Sequence, residues 1–109
     1  MIEQIKNSPE DIGFNEVIAH IDETYDFKPT KFTNGNTVNE AGQNNGSCKI
    51  FSFARLHNLS KDKTLALFGE FYRNDVLRNP ERTDHQNIRN FIKSGWEGIS
   101  FEAEALTKK

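Results

Sequence analysis

Between Thr33 and Gly46 the chain carries no helical periodicity, and this interruption limits what it can fold into. The run TNGNTVNEAGQNNG is built from amides, glycines and short polar residues, then gives way at Ser47 to the more apolar SCKIFSFA. Asn34-Gly35 is the dipeptide best suited to a type I′ hairpin turn, because both residues tolerate positive φ. The flanks, Lys31–Thr33 and Asn36–Val38, hold β-branched and aromatic residues but little apolar alternation. A short hairpin and a plain loop therefore both remain open. Gly42 and Gly46 break any helix through the remainder.

Elsewhere the spacing predicts amphipathic helices. Ser8 suits an N-cap, Pro9 the first helical position, and Glu10 and Asp11 the positive end of the dipole. Phe14, Val17, Ile18, Ile21 and Tyr25 lie on one stripe, and the pair Lys28-Pro29 ends the element near Asp26. A second helix opens at Asn45 or Ser47, turns Ile50, Phe53, Ala54 and His57 to one face, and stops near Asn58. Ser60 caps a third, which runs through Leu65, Phe68 and Tyr72 toward Leu77 before Asn79-Pro80. Thr83-Asp-His-Gln86 reads as a capping box for a fourth, with Ile88, Phe91 and Ile92 inward and Gly95 as its stop. Trp96, Ile99 and Phe101 form a segment lying back over the helices. The expected fold is mainly α, about four helices with a long polar loop between the first and second. The alternative is α+β, with the Asn34-Gly35 hairpin pairing Gly98–Phe101. Residues 1–109 read as a single domain with a core over about 8–101 and a frayed tail at 102–109.

At 109 residues the chain has room for one modest core, to which nine Phe contribute. No apolar run approaches the ~20 residues of a membrane span. MIEQIKNSPED has no basic segment followed by an apolar one, so no cleavable signal is expected. The single cysteine excludes an intramolecular disulfide and points to a reducing, cytoplasmic setting. Charge is uneven: residues 1–48 hold 3 basic and 8 acidic side chains, residues 49–93 hold 9 and 5. The basic residues alternate with acids, so mixed solvated faces are expected and nucleic acid is not the favoured partner.

Chemistry concentrates at Cys48. In the first turn of a helix, with Lys49 beside it, its thiol pKa is expected to fall. Gln43-x-x-Gly46-Ser47-Cys48 resembles the papain-type arrangement, and His85 is the candidate base, with Asn87 or Asn90 to orient it. Against this, a Cys at a loop–helix junction is commonly a small core residue. Asn39, Glu40, Gln43, Asn45, Ser47, Asp84 and Asn87 are candidate ligand-binding residues; the uncharged amides among them suit recognition of a peptide or sugar. The same amides also serve turns. Neither a metal site nor a cofactor is expected: one cysteine excludes the usual structural zinc sets, and no two ligands share a helical face.

The words TNGNTVNEAGQNNGSCKIFSFA (33–54), ALFGEFYRNDVL (66–77) and NPERTDHQNIRNFIKSGWEGISF (79–101) resemble the HopJ type III effector family. With the Phe14–Tyr25 helix they cover nearly the whole chain. The resemblance implies a small bacterial protein from a family named after substrates of plant-pathogen type III secretion, and brings no catalytic set or cofactor. The leading expectation is a non-enzymatic binding or regulatory module that presents Asn39–Cys48, with Asp84–Asn87, to a small ligand or peptide. The alternatives are a thiol-dependent hydrolase or transferase using Cys48 and His85, and an exported effector that binds a host protein.

Overall fold

The computed structural model describes residues 1–109. Short helix α1 (Ile2–Asn7) is followed by a 3-10 turn (Pro9–Asp11), α2 (Phe14–Thr24) and β1 (Tyr25–Phe27). The hairpin β2 (Phe32–Asn34) and β3 (Thr37–Asn39) leads to α3 (Asn45–Leu56) and α4 (Lys61–Ala66). A π-helical turn (Phe71–Val76), α5 (Gln86–Ser94), a 3-10 turn (Gly95–Gly98), β4 (Ile99–Phe101) and β5 (Leu106–Lys108) complete the chain.

The architecture is α+β, the alternative reading, rather than a plain four-helix bundle. β3-β2-β4 form one antiparallel sheet, with Thr33 opposite both Val38 and Ser100, and β1-β5 form a second. Phe32 on the central strand is buried and packs on Phe51 of α3 and on Phe101 of β4. Phe51 also meets Phe68, Phe91 and Trp96, so one α3 side chain joins the sheet side of the core to the turn after α4 and to α5. Aromatic pairs at such distances add to the area they bury.

The hairpin forms, but one residue later than the turn signal places it. Gly35 and Asn36 are the two loop residues, and only Gly35 has positive φ (+63°), the type II′ pattern. Asn34 instead belongs to β2 and is fully buried. The tail is likewise not frayed: Ala105 and Leu106 are buried, and β5 pairs with β1, which continues directly from α2.

The first and third helices also differ from expectation. Ser8 ends α1 through its amide to Gln4 O (2.8 Å) and opens only the 3-10 turn, while Gly13 is the N-cap of α2. Lys63 Nζ donates to the carbonyls of Ile5 (3.1 Å) and Lys6 (2.7 Å), satisfying the end of α1. Ser60 caps α4 as its position predicts, accepting from Lys63 N. α4 then stops early, because Gly69 takes φ +58° where the chain presses on the start of α2. A Cβ there would lie 2.6 Å from Phe14 N, so only glycine lets the two backbones meet. Beyond this break Leu77 N reaches back five residues to Tyr72 O (3.0 Å), the wide turn of a π-helix.

Gly69→Ala should therefore lower unfolding stability by about 2 kcal/mol or more, read as a shift in the urea midpoint against a neutral surface change such as Glu70→Ala.

Candidate functional site

α3 and α5 both begin without a side-chain cap. Their N-cap residues, Asn44 (φ 52°) and His85 (φ 51°), sit in the left-handed region, and neither side chain bonds a first-turn amide. The first α3 amide with a backbone partner is that of Cys48, to Asn44 O (3.0 Å); in α5 it is that of Arg89, to His85 O (3.1 Å). The earlier amides of each helix have no intrahelical acceptor, and the positive end of each dipole lies there.

These two helix starts meet at one cleft of about 340 Å3. Asn44, Gly46 and Ser47 come from the first, and His85, Gln86, Asn87 and Ile88 from the second. Phe14, Phe68 and Phe71 form an apolar wall, and Thr37 of β3 lies at another edge. Phe71 is 39% exposed and meets both Phe14 (centroids 5.0 Å apart) and the His85 ring (5.2 Å). His85 Nε2 is 3.0 Å from Asp75 Oδ2 on the π-turn, so the wide turn positions this imidazole.

What brings the helix starts together is a cluster of amides. Asn39 and Asn87, both buried, exchange reciprocal hydrogen bonds: Asn39 Nδ2 to Asn87 Oδ1 (3.1 Å) and Asn87 Nδ2 to Asn39 Oδ1 (3.0 Å). Asn34 Nδ2 donates to Asn87 O (2.8 Å) and Oδ1 (3.0 Å), and Asn44 Nδ2 to Asn39 Oδ1 (2.7 Å). Asn90 Nδ2 donates to Asn34 O (3.1 Å) and Thr37 Oγ1 (2.6 Å). The hairpin, the loop before α3 and the start of α5 are thereby tied to one another. Asn34 Oδ1 is left without a partner.

The candidate residues divide accordingly. Ser47, Asn87 and His85 line the cleft. Asn39 lies in the amide cluster behind it. Glu40 and Gln43 close the preceding loop on itself: Gln43 Oε1 accepts from Glu40 N (3.1 Å), so this Gln serves a turn rather than an oxyanion. Asn45 is exposed at the first position of α3 and does not line the cleft. Asp84 is turned to Arg89, which donates Nη2 to Oδ1 (2.7 Å) and Nε to the Asp84 carbonyl (2.6 Å). That hydrogen bond from Arg89 holds the Asp84 carboxyl below its ordinary pKa. The capping box is not formed as drawn: Gln86 donates to the carbonyl of Thr83, and the helix starts at Gln86 itself.

Cys48 is the small core residue that a loop–helix junction suggests, and not an activated thiol. Its side chain is 2% exposed, Sγ contacts Thr30 O at 3.9 Å, and it does not line the cleft that His85 lines. Burial pushes the thiol pKa up, opposite to the lowering expected at a helix start. Lys49, the expected helper, is bound to Asp22 (2.8 Å). Cys48 is a core residue, and no thiol–imidazole pair is assembled. No three His, Cys, Asp or Glu side chains are grouped to hold a metal ion.

A family model described as HopJ type III effector protein matches residues 1–106. The chain belongs to that family. This HopJ chain is also similar to a solved structure, the crystal structure of the unknown function protein VPA0580, at 58% sequence identity and a TM-score of 0.98, covering 99% of this chain and 90% of that one. No curated protein matches. No helix is long and apolar enough to cross a membrane.

The aromatic wall and the uncapped helix starts were the parts sequence reasoning missed. Phe14 and Phe68 fall on helical core stripes, and left-handed N-caps at Asn and His leave only a faint compositional trace.

Two outcomes follow from this geometry. Asn87→Ala leaves the Asn39 amide short of partners and should cost about 1–3 kcal/mol in urea unfolding. Asn39→Ala should couple to it in a double-mutant cycle. Cys48 should alkylate with iodoacetamide far more slowly in the native chain than in the urea-unfolded chain at pH ~8.5, the ordinary thiol pKa, because burial shields the thiol from the reagent and raises its pKa. Equal rates in the two states would contradict the burial described.

Proposed function

We propose that this HopJ protein is a non-enzymatic binding or regulatory module, whose cleft between the starts of α3 and α5 takes a small ligand or a peptide segment. One observation carries the reading: the two segments that sequence alone nominated, the amide-rich loop and Asp84–Asn87, contribute Asn44, Gly46, Ser47, His85, Gln86 and Asn87 to a single cleft. Free first-turn amides on one side favour a hydrogen-bond-accepting group, and the phenyl rings opposite favour an apolar one. A ligand with a carbonyl or carboxylate next to an apolar group matches both walls. The buried thiol and the absence of a paired base weigh against the hydrolase or transferase alternative. The exported-effector reading draws on the family description, and would use the same cleft toward a host protein; an export assay on the intact chain tests it.

A fragment screen by 15N NMR tests the binding reading. Acceptor-bearing aromatic or aliphatic acids and amides should shift the amides of residues 44–47 and 85–88, and Phe71→Ala should weaken those hits several-fold while leaving the fold intact. Hits that cluster elsewhere, or that survive Phe71→Ala unchanged, dispose of the cleft as the site.

A further inference from the structure

Along the outer side of α5 lies a second depression, an open groove of about 370 Å3 between that helix and the end of the π-turn. Val76, Leu77, Pro80 and Ile92 supply its apolar surface, and Arg82 and Lys93 its exposed rim. Leu77 is 53% exposed, an unusual state for a large aliphatic beside an apolar floor. Arg89 also lines the groove, but its charge is already matched by Asp84. Neither Arg82 nor Lys93 has an ion-pair partner, and no carboxylate lines the groove. Glu81, next to Arg82 in sequence, is exposed and outside it. Arg82 is near enough to help hold the Asp84 carboxylate ionised, but makes no ion pair with it, so an apolar floor and a basic rim free of direct ion pairs coincide.

We propose that this groove docks an acidic amphipathic segment of a partner protein, with aliphatic side chains against Val76, Leu77 and Ile92 and carboxylates facing Arg82 and Lys93. The size fits: Gln86 to Lys93 runs about two helical turns, roughly 10 Å of α5, enough for two aliphatic anchors at i and i+3 or i+4. The chemistry selects among polyanions. A nucleic acid would bring phosphates to the rim but finds no aromatic side chain in the groove on which to stack a base. A lipid surface needs several protruding apolar side chains, whereas here only Leu77 protrudes among the aliphatics of the floor: Val76 is buried and Ile92 half-buried. The groove is separate from the ligand cleft, with which it shares only Gln86 at one end.

The test uses the full chain and a fluorescein-labelled helical peptide with Leu at i, i+3 and i+7 and Glu on the remaining face, followed by anisotropy and 15N chemical shifts. The expected result is saturable binding with shifts at residues 76–93. Leu77→Ala should weaken it about tenfold, and Arg82→Glu with Lys93→Glu should weaken it by at least as much. The charge-reversed chain should then prefer the same peptide carrying Lys in place of Glu. All three substitutions lie at exposed positions, and thermal melts by circular dichroism establish that each variant is folded. The proposal is overturned by no saturable binding of the acidic peptide, or by equal binding of the Glu and Lys peptides. It is overturned equally if the shifts map elsewhere, or if phosphatidylglycerol vesicles or oligothymidylate bind the groove in preference.

Discussion

The reciprocal amide pair between Asn39 and Asn87 is the interaction on which the arrangement of this fold depends. A carboxamide offers donor and acceptor at once, so two of them facing each other satisfy both without charge and without water. Burying such groups without partners is costly, and this pair leaves neither amide wanting. Asn34 and Asn44 extend the pair on one side, and Asn90 ties the turn of the hairpin to α5. A short hairpin on its own is marginal in water. Here it is held from two directions, by β4 along its edge and by α5 through the amides.

That fixing has a consequence for the cleft. Two helix starts with open amides would ordinarily recruit Ser, Asp or Thr as caps. Asn44 and His85 decline that role: Asn44 gives its amide to Asn39, and His85 gives its ring to Asp75 and Phe71. A left-handed N-cap is tolerated by Asn44 but costs conformational energy at His85. The cleft is thus a place where local preference gives way to tertiary constraint, which is a common property of binding sites.

Much of this was readable in the residues and part of it was not. The inward residues of α2 and α5, the Ser60 cap and the Gly95 stop rest on local chemistry, and the structure has them where spacing puts them. Tyr25, however, leaves the first stripe for β1, and the third helix ends at Ala66. The hairpin signal was sound but its register was not, because the buried amide of Asn34 claims a strand position and moves the turn to Gly35-Asn36. The break at Gly69 was illegible, since its cause is the backbone of Phe14, 55 residues away by the two numbers. Of the two readings of Cys48 the core one holds, because a helix start lowers a thiol pKa only where solvent reaches it, and burial removes that solvent. The candidate residues that reached the cleft did so in two clusters, whose meeting depends on amide contacts spanning 48 and 53 residues.

The pairing of β5 with β1 bears on the order in which the fold can form. β1 can pair only with residues 106–108, and the central strand β2 gains its second neighbour only from residues 99–101. Both sheets therefore close over most of the length of the polypeptide, and such distant pairing slows folding through the entropy of loop closure. The helices and the β2-β3 hairpin draw on near neighbours, whereas the second edge of β2 and the whole of the β1-β5 pair wait on residues far along the chain. Leu106, buried where β5 meets β1, therefore secures a contact that local structure alone cannot form.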